Sequence, residues 1–279
     1  MKALLGYVST LLFIFAARSF YQEPLFDASL LIIESWQTSK RSPWLALVSK
    51  LVSTFMGGEV MMVLAYVTLQ ALAKPSRTLY HLIMCLANSY ATILLKLILH
   101  QPRPFMVSTQ IKAISSSGVS TEFGDPSGHT MSCAQVFLSL FLDYLADEEQ
   151  RFVATKNCYQ NKARVWAKKA GFMVVYLTVV SIVGYSRMFN GSHSLDQVVT
   201  GALIGIWLAF FGHYALRGPI YCHIESVLST ESESTGDGPK DKVRGAPWKA
   251  FGFFCIAFLS TALAYYYNLW TFSIPGQWL

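Results

Sequence analysis

The stretch SRMFNGSHSLDQ, Ser186–Gln197, joins two apolar runs, Gly171–Tyr185 and the segment from Leu195 to Leu216. It sets an arginine, a histidine, an aspartate and a glutamine where two hydrophobic segments meet. Ionisable residues at membrane depth are costly and mark functional sites. A segment that crosses the bilayer needs about 20 mostly apolar residues. Further candidates are Ala3–Phe20, Ser53–Ala73, Leu79–Leu99, Thr130–Leu145 and Ala250–Trp270. Between the first two, apolar residues recur every three or four positions among Glu34, Lys40, Arg41 and Lys50, which predicts amphipathic helices lying in the interface.

Composition supports the same class. Of 279 residues, 53% are hydrophobic and 14% charged, against about 25% charged in soluble domains. The net charge of +6 resides in short loops between apolar runs, with no basic stripe interleaved with aromatics. That is a topology signal, and no nucleic-acid partner is expected. The expected fold is an all-α, polytopic membrane helix bundle of about six core transmembrane helices plus one appended C-terminal helix. Residues 1–52 form a hydrophobic helix and interfacial segment, 53–217 the core, 218–247 a polar cytosolic linker, and 248–279 the last transmembrane helix. The N-terminal segment has a signal-like pattern but no convincing cleavage site, so an uncleaved helix is expected. Cys85, Cys133, Cys158, Cys222 and Cys255 are scattered without metal-ligand spacing and read as packing residues.

Three polar motifs interrupt the apolar pattern at helix ends. KLILHQPRPF carries Lys96 and Arg103, FGDPSGHTM carries Ser127, Gly128 and His129, and the opening stretch carries Arg187 and His193. One crossing ends at the first motif and the next begins at the second. The chain then crosses away and returns, so all three motifs reach one membrane face. Three cations and two histidines converging there describe an anion site, with phosphate the natural ligand. A Pro-Ser-Gly run opening a helix adds backbone N–H donors and the positive end of the helix dipole, with the Ser127 hydroxyl a further donor. Such donors stabilise charge on phosphoryl oxygens in the transition state. Two histidines suit a nucleophile and a general acid–base. No carboxylate cluster suggests a metal site, so metal-independent chemistry without a cofactor is expected.

Lys-x6-Arg-Pro, Pro-Ser-Gly-His and Ser-Arg-x5-His, in that order, resemble the type-2 phosphatidic acid phosphatase superfamily. That superfamily includes lipid phosphate phosphatases, glucose-6-phosphatase and dolichyl-diphosphate phosphatase. The resemblance spans roughly Ser53 to Leu216 and implies His193 as nucleophile and His129 as general acid. It implies Lys96, Arg103, Ser127, Gly128 and Arg187 as the phosphate cradle. The superfamily usually has aspartate four residues after the nucleophile; here Gln197 stands there and Asp196 one residue earlier. That pattern is similar to the glutamine-bearing branch of glucose-6-phosphatase and dolichyl-diphosphate phosphatase. Gln197 is the expected partner of the His193 ring, with Asp196 as the alternative on the same helical side.

The implied substrates are a lipid or polyprenyl phosphate or diphosphate, or a sugar phosphate as in glucose-6-phosphatase. The rival is a catalytically silent membrane subunit. Membrane lipids are expected partners, and a membrane-protein partner or an oligomer stays open. Asp125 would cap the helix or hold Arg103 or Arg187, Glu59 would favour a helix start, and Asn190-Gly191-Ser192 matches a glycosylation acceptor that a site there would exclude. Lys74, Arg77, Arg151, Lys162, Lys168, Lys169 and Arg217 fall on the motif-free face. The positive-inside rule puts that face in the cytosol, so the site should face the endoplasmic-reticulum lumen.

Overall fold

The computed structural model describes residues 2–38, 42–56, 75–114, 122–155 and 162–234, and their regular structure is entirely helical. The elements are α1 (Lys2–Thr38), α2 (Pro43–Phe55), α3 (Pro75–Leu99), the single turn α4 (Pro104–Val107), α5 (Gly128–Thr155), α6 (Lys162–Phe189), α7 (Leu195–Phe211) and α8 (Arg217–Ser234). A π-helical turn, Gly212–Leu216, joins the last two. Among the described residues, four helical segments are long and apolar enough to cross a membrane: Leu4–Thr38, Ser76–Val107, Trp166–Phe189 and Leu195–Ser226. The expected Ser53–Ala73 span beyond Met56, Glu59 within it, and the last helix Ala250–Trp270 lie outside the described residues.

Two expectations need correction. The N-terminal region is one continuous 37-residue helix, where a short span followed by an interfacial segment was expected. At about 1.5 Å per residue it is far longer than a ~30 Å hydrocarbon core. Its polar residues find partners on neighbouring loops. Ser29 Oγ accepts from the Leu195 N–H at 2.8 Å, and the Ser108 hydroxyl donates to Glu34 Oε1 at 2.5 Å. Gln37 accepts from the Lys112 N–H at 2.8 Å and donates to the Lys112 carbonyl at 3.1 Å.

Within the expected interfacial segment, α2 has a polar inner face and an apolar outer face. α2 turns its serines inward: Ser49 donates to the Ser186 carbonyl (3.1 Å) and Asn190 Oδ1 (3.0 Å), and Ser53 accepts from Asn190 Nδ2 (2.9 Å). Trp44, Leu47, Leu51 and Phe55 point outward and are exposed. A helix that is polar inside and apolar outside suits lipid, where hydrogen bonding and close packing hold helices together. Finally, the linker expected from residue 218 is helical through Ser234. Pro219 cannot donate to the carbonyl four residues back, and the π-helical turn immediately before it lets the helix run on.

α5 is the central helix, packed on α3, α6 and α7, with α7 its most extensive neighbour. Buried amides bond along and across it: Asn88 of α3 donates to Ser132 at 2.8 Å, and Gln135 to Ser139 at 3.1 Å. Gly201 and Gly205 bring α7 against it. A Cβ at Gly201 would lie 2.6 Å from the Ser127 carbonyl oxygen, and one at Gly205 would lie 3.0 Å from Ala134 Cβ. This is the small-xxx-small device that lets membrane helix backbones approach closely. Met131, Ile204, Leu208 and Ile14 form the adjoining core, which ties in α1.

At the end of the bundle away from the motifs, buried Asp143 meets His81 Nε2 (2.9 Å), Arg217 Nε (2.9 Å) and Arg77 Nε (3.3 Å). Arg77 also pairs with Asp147. These pairs knot α3, α5 and α8 together at the end of the bundle opposite the motifs.

Candidate active site

His193 lies in the loop between α6 and α7 and is buried. Its Nδ1 is 2.8 Å from the Gly124 carbonyl and 3.3 Å from Gln197 Oε1. A main-chain carbonyl can only accept, so Nδ1 carries the proton and Nε2 keeps its lone pair. Burial, then the charges of Arg103, Arg187 and Lys96, hold the His193 ring well below the ordinary histidine range, with His129 adding to the effect. The same interactions place Lys96, Arg103, His129 and Arg187 around His193. The five groups that crossing parity sends to one face are therefore brought together. His129, at the first turn of α5, is near the same three cations and the Ser53 backbone of α2.

The partner of the His193 ring is only partly the expected one. Gln197 does reach the ring, but the shorter contact comes from Gly124, a loop carbonyl that sequence reasoning missed. The Gln197 amide is fixed on both sides: Oε1 also accepts from the Ser194 N–H at 3.3 Å, and Nε2 donates to the Pro102 carbonyl at 2.8 Å. Gly124 itself donates to the Gln101 carbonyl at 2.7 Å. A Cβ at Gly124 would stand 2.5 Å from Gln197 Oε1, so this position fits the glutamine only as glycine. Asp196 makes no hydrogen bond to the His193 ring. Its Oδ2 accepts from Gln101 Nε2 at 2.6 Å, which braces the loop that leads to Arg103.

At the helix opening, Ser127 is fully buried and its hydroxyl pairs with Thr130 Oγ1 at 3.0 Å. The Ser127 N–H donates to the Gln197 carbonyl at 3.0 Å, tying this turn to α7. The amides of Gly128, His129 and Thr130 are the first of α5 and have no intrahelical partner, as at any helix start. They are the backbone donors available at this helix start.

Two charged contacts were not foreseen. Asp125 pairs with Arg18 of α1 at 2.5 Å rather than with Arg103 or Arg187, and its side chain is fully buried. Burial pushes the Asp125 carboxyl up to about 7, against the pull of Arg18. Glu122 sits among the cradle cations, with Oε2 2.6 Å from Lys96 Nζ and 3.9 Å from Arg103. Its carbonyl accepts from Arg103 Nε at 2.8 Å. Asn190 of the acceptor-like triplet is buried, with both ends of its amide bonded to α2, so it offers no site for a glycan.

Comparisons bear on this arrangement. The family described as the PAP2 superfamily matches residues 77–219. No curated protein matches the chain. Among solved structures, the fold is similar to the crystal structure of the first transmembrane PAP2 type phosphatidylglycerolphosphate phosphatase from Bacillus subtilis. The two share 18% identity over 79% of this chain and 96% of that one, with a TM-score of 0.54.

Proposed function

Since the chain belongs to the PAP2 superfamily, we propose that it is an integral-membrane phosphatase that transfers a phosphoryl group to His193 and then to water. One observation carries this reading: the His193 ring is fixed through Nδ1 by Gly124 and Gln197, within electrostatic reach of three cations. In the first step Nε2 attacks phosphorus and the bond to the leaving oxygen breaks, with His129 giving that oxygen its proton. In the second, water attacks the phosphohistidine, His129 takes the water's proton, and orthophosphate leaves His193 neutral again. Lys96, Arg103, Arg187 and the first amides of α5 balance the phosphoryl charge throughout. Chelators are expected to leave turnover unchanged.

The substrate class best supported is a phosphate or diphosphate carried on a lipid or polyprenyl chain. The support is α2, whose inner face touches the loop bearing His193 while its outer face is apolar and exposed. Arg77, Lys168, Lys169 and Arg217 fall at the opposite end of the bundle, which favours a cytosolic placement for that end and a lumenal site.

The test is orthophosphate release by purified protein from phosphatidate, phosphatidylglycerol phosphate, dolichyl diphosphate and glucose 6-phosphate. His193→Ala is expected to abolish release and the labelled phosphoprotein. Full activity in that variant would overturn the mechanism, and turnover confined to glucose 6-phosphate would overturn the substrate class.

A further inference from the structure

The cradle already holds an anion of its own. Lys96 and Arg103 are two of the three cations read as phosphate ligands, yet the Glu122 carboxylate lies 2.6 Å from the first and 3.9 Å from the second. Its backbone oxygen meanwhile holds Arg103 through Nε at 2.8 Å. A carboxylate and a phosphoryl oxygen make the same demand on an ammonium or guanidinium: a short, charge-assisted hydrogen bond. Two residues on, Gly124 anchors the nucleophile. The segment 122–124 thus touches both the cations and the ring that must act on what they bind.

We propose that Glu122 is an internal counter-anion, a specificity-determining residue that the incoming phosphate displaces from Lys96. While the site is empty it neutralises a cation that would otherwise stand partly desolvated. An entering anion must outcompete it, which disfavours weakly charged anions and favours a phosphate dianion. This rests on the phosphatase reading. It differs from a plain structural brace in the sign of its effect: a brace aids phosphate binding, whereas a competitor opposes it.

Orthovanadate, a phosphate mimic, separates the two readings through its inhibition constant for phosphate release. Glu122→Gln is expected to bind vanadate more tightly, on the order of tenfold, because the competing charge is gone. Weaker binding in that variant would overturn the proposal and leave the phosphatase reading intact. If wild-type protein ignores vanadate altogether, both readings fall.

A second measurement needs no variant. The Lys96 and Glu122 side chains retain 15% and 13% exposure, so a carbodiimide can reach them and join them as an amide. Saturating vanadate is expected to suppress that crosslink in the mass spectrum. An undiminished crosslink would show that Glu122 stays in place, against the proposal.

Discussion

Replacing Gly124 by alanine tests how the His193 ring is held, because the added methyl group meets the very side chain that shares the task. Its Cβ would stand 2.5 Å from Gln197 Oε1, 2.6 Å from Nε2 and 2.8 Å from Cδ, where ordinary contact begins at 3.4 Å. The glutamine has no slack, being bonded to Ser194, His193 and Pro102. Something must therefore move by about 1 Å: either the amide or the loop whose carbonyl anchors Nδ1. Misplacement of that size in a reacting geometry costs about 10²-fold in rate. Gln197→Ala alone removes the longer of the two ring contacts and leaves the 2.8 Å carbonyl in place. A net hydrogen bond is worth about 1 kcal/mol, so a loss of roughly fivefold to tenfold in kcat/KM is expected. The double variant is the decisive case. With the glutamine cut back, the alanine methyl has room, and the combined loss should be far smaller than the product of the single losses. Initial rates of phosphate release for the four proteins, with phosphohistidine yield in single turnover, give the cycle. Losses that simply multiply would refute the steric argument.

Two further outcomes follow from the charges. The imidazole of His193 is held below its ordinary range by burial and by Arg103, Arg187 and Lys96, so it stays an unprotonated nucleophile in mild acid. The acidic limb of kcat/KM should fall well below pH 6.5, and a limb at or above that value would contradict the assignment. In stability the sign is the same: the unfolded chain takes up the proton first, so this group's contribution is complete above about pH 6.5 and is lost as pH falls. Arg18→Gln removes the pull that opposes burial of the Asp125 carboxyl, which then takes up a proton, so the loss should be about 1–3 kcal/mol, with Arg18→Gln/Asp125→Asn recovering much of it. Thermal unfolding in detergent reads both, and a single variant as stable as wild type would show that the pair is unimportant.

The gathering of Lys96, Arg103, His129, Arg187 and His193 was legible because each interrupts an apolar run at its end, and counting crossings assigns the ends to one face. Side-chain chemistry and hydropathy carry that information directly. The partner of His193 was only half legible. Gln197 follows from helical spacing, but a loop carbonyl such as Gly124 leaves no mark in residue type, since every residue has one. Asp196 looked equivalent to Gln197 because both sit in the first turn of α7. Its partner Gln101 lies 95 positions away, and only the folded chain reveals that pairing. Glu122 left no mark in the motifs either: its pairing with Lys96, 26 positions away, shows only in the folded chain. Arg18 lies outside the residues the family matches, in a helix whose hydrophobicity suggests only an anchor.

The reversed amphipathicity of α2 also bears on traffic to the catalytic centre. With its serines on the His193 loop and its tryptophan, leucines and phenylalanine outermost, α2 stands, among the described residues, as a partition one helix thick beside the site. A helix with its side chains measures about 10–12 Å across. A phosphorylated headgroup tethered to a hydrocarbon tail therefore has only that distance to traverse, and its tail can remain solvated by neighbouring acyl chains during turnover. Such a partition favours sideways delivery within a leaflet over diffusion through water, so substrate supply would scale with surface density in the membrane rather than with bulk concentration.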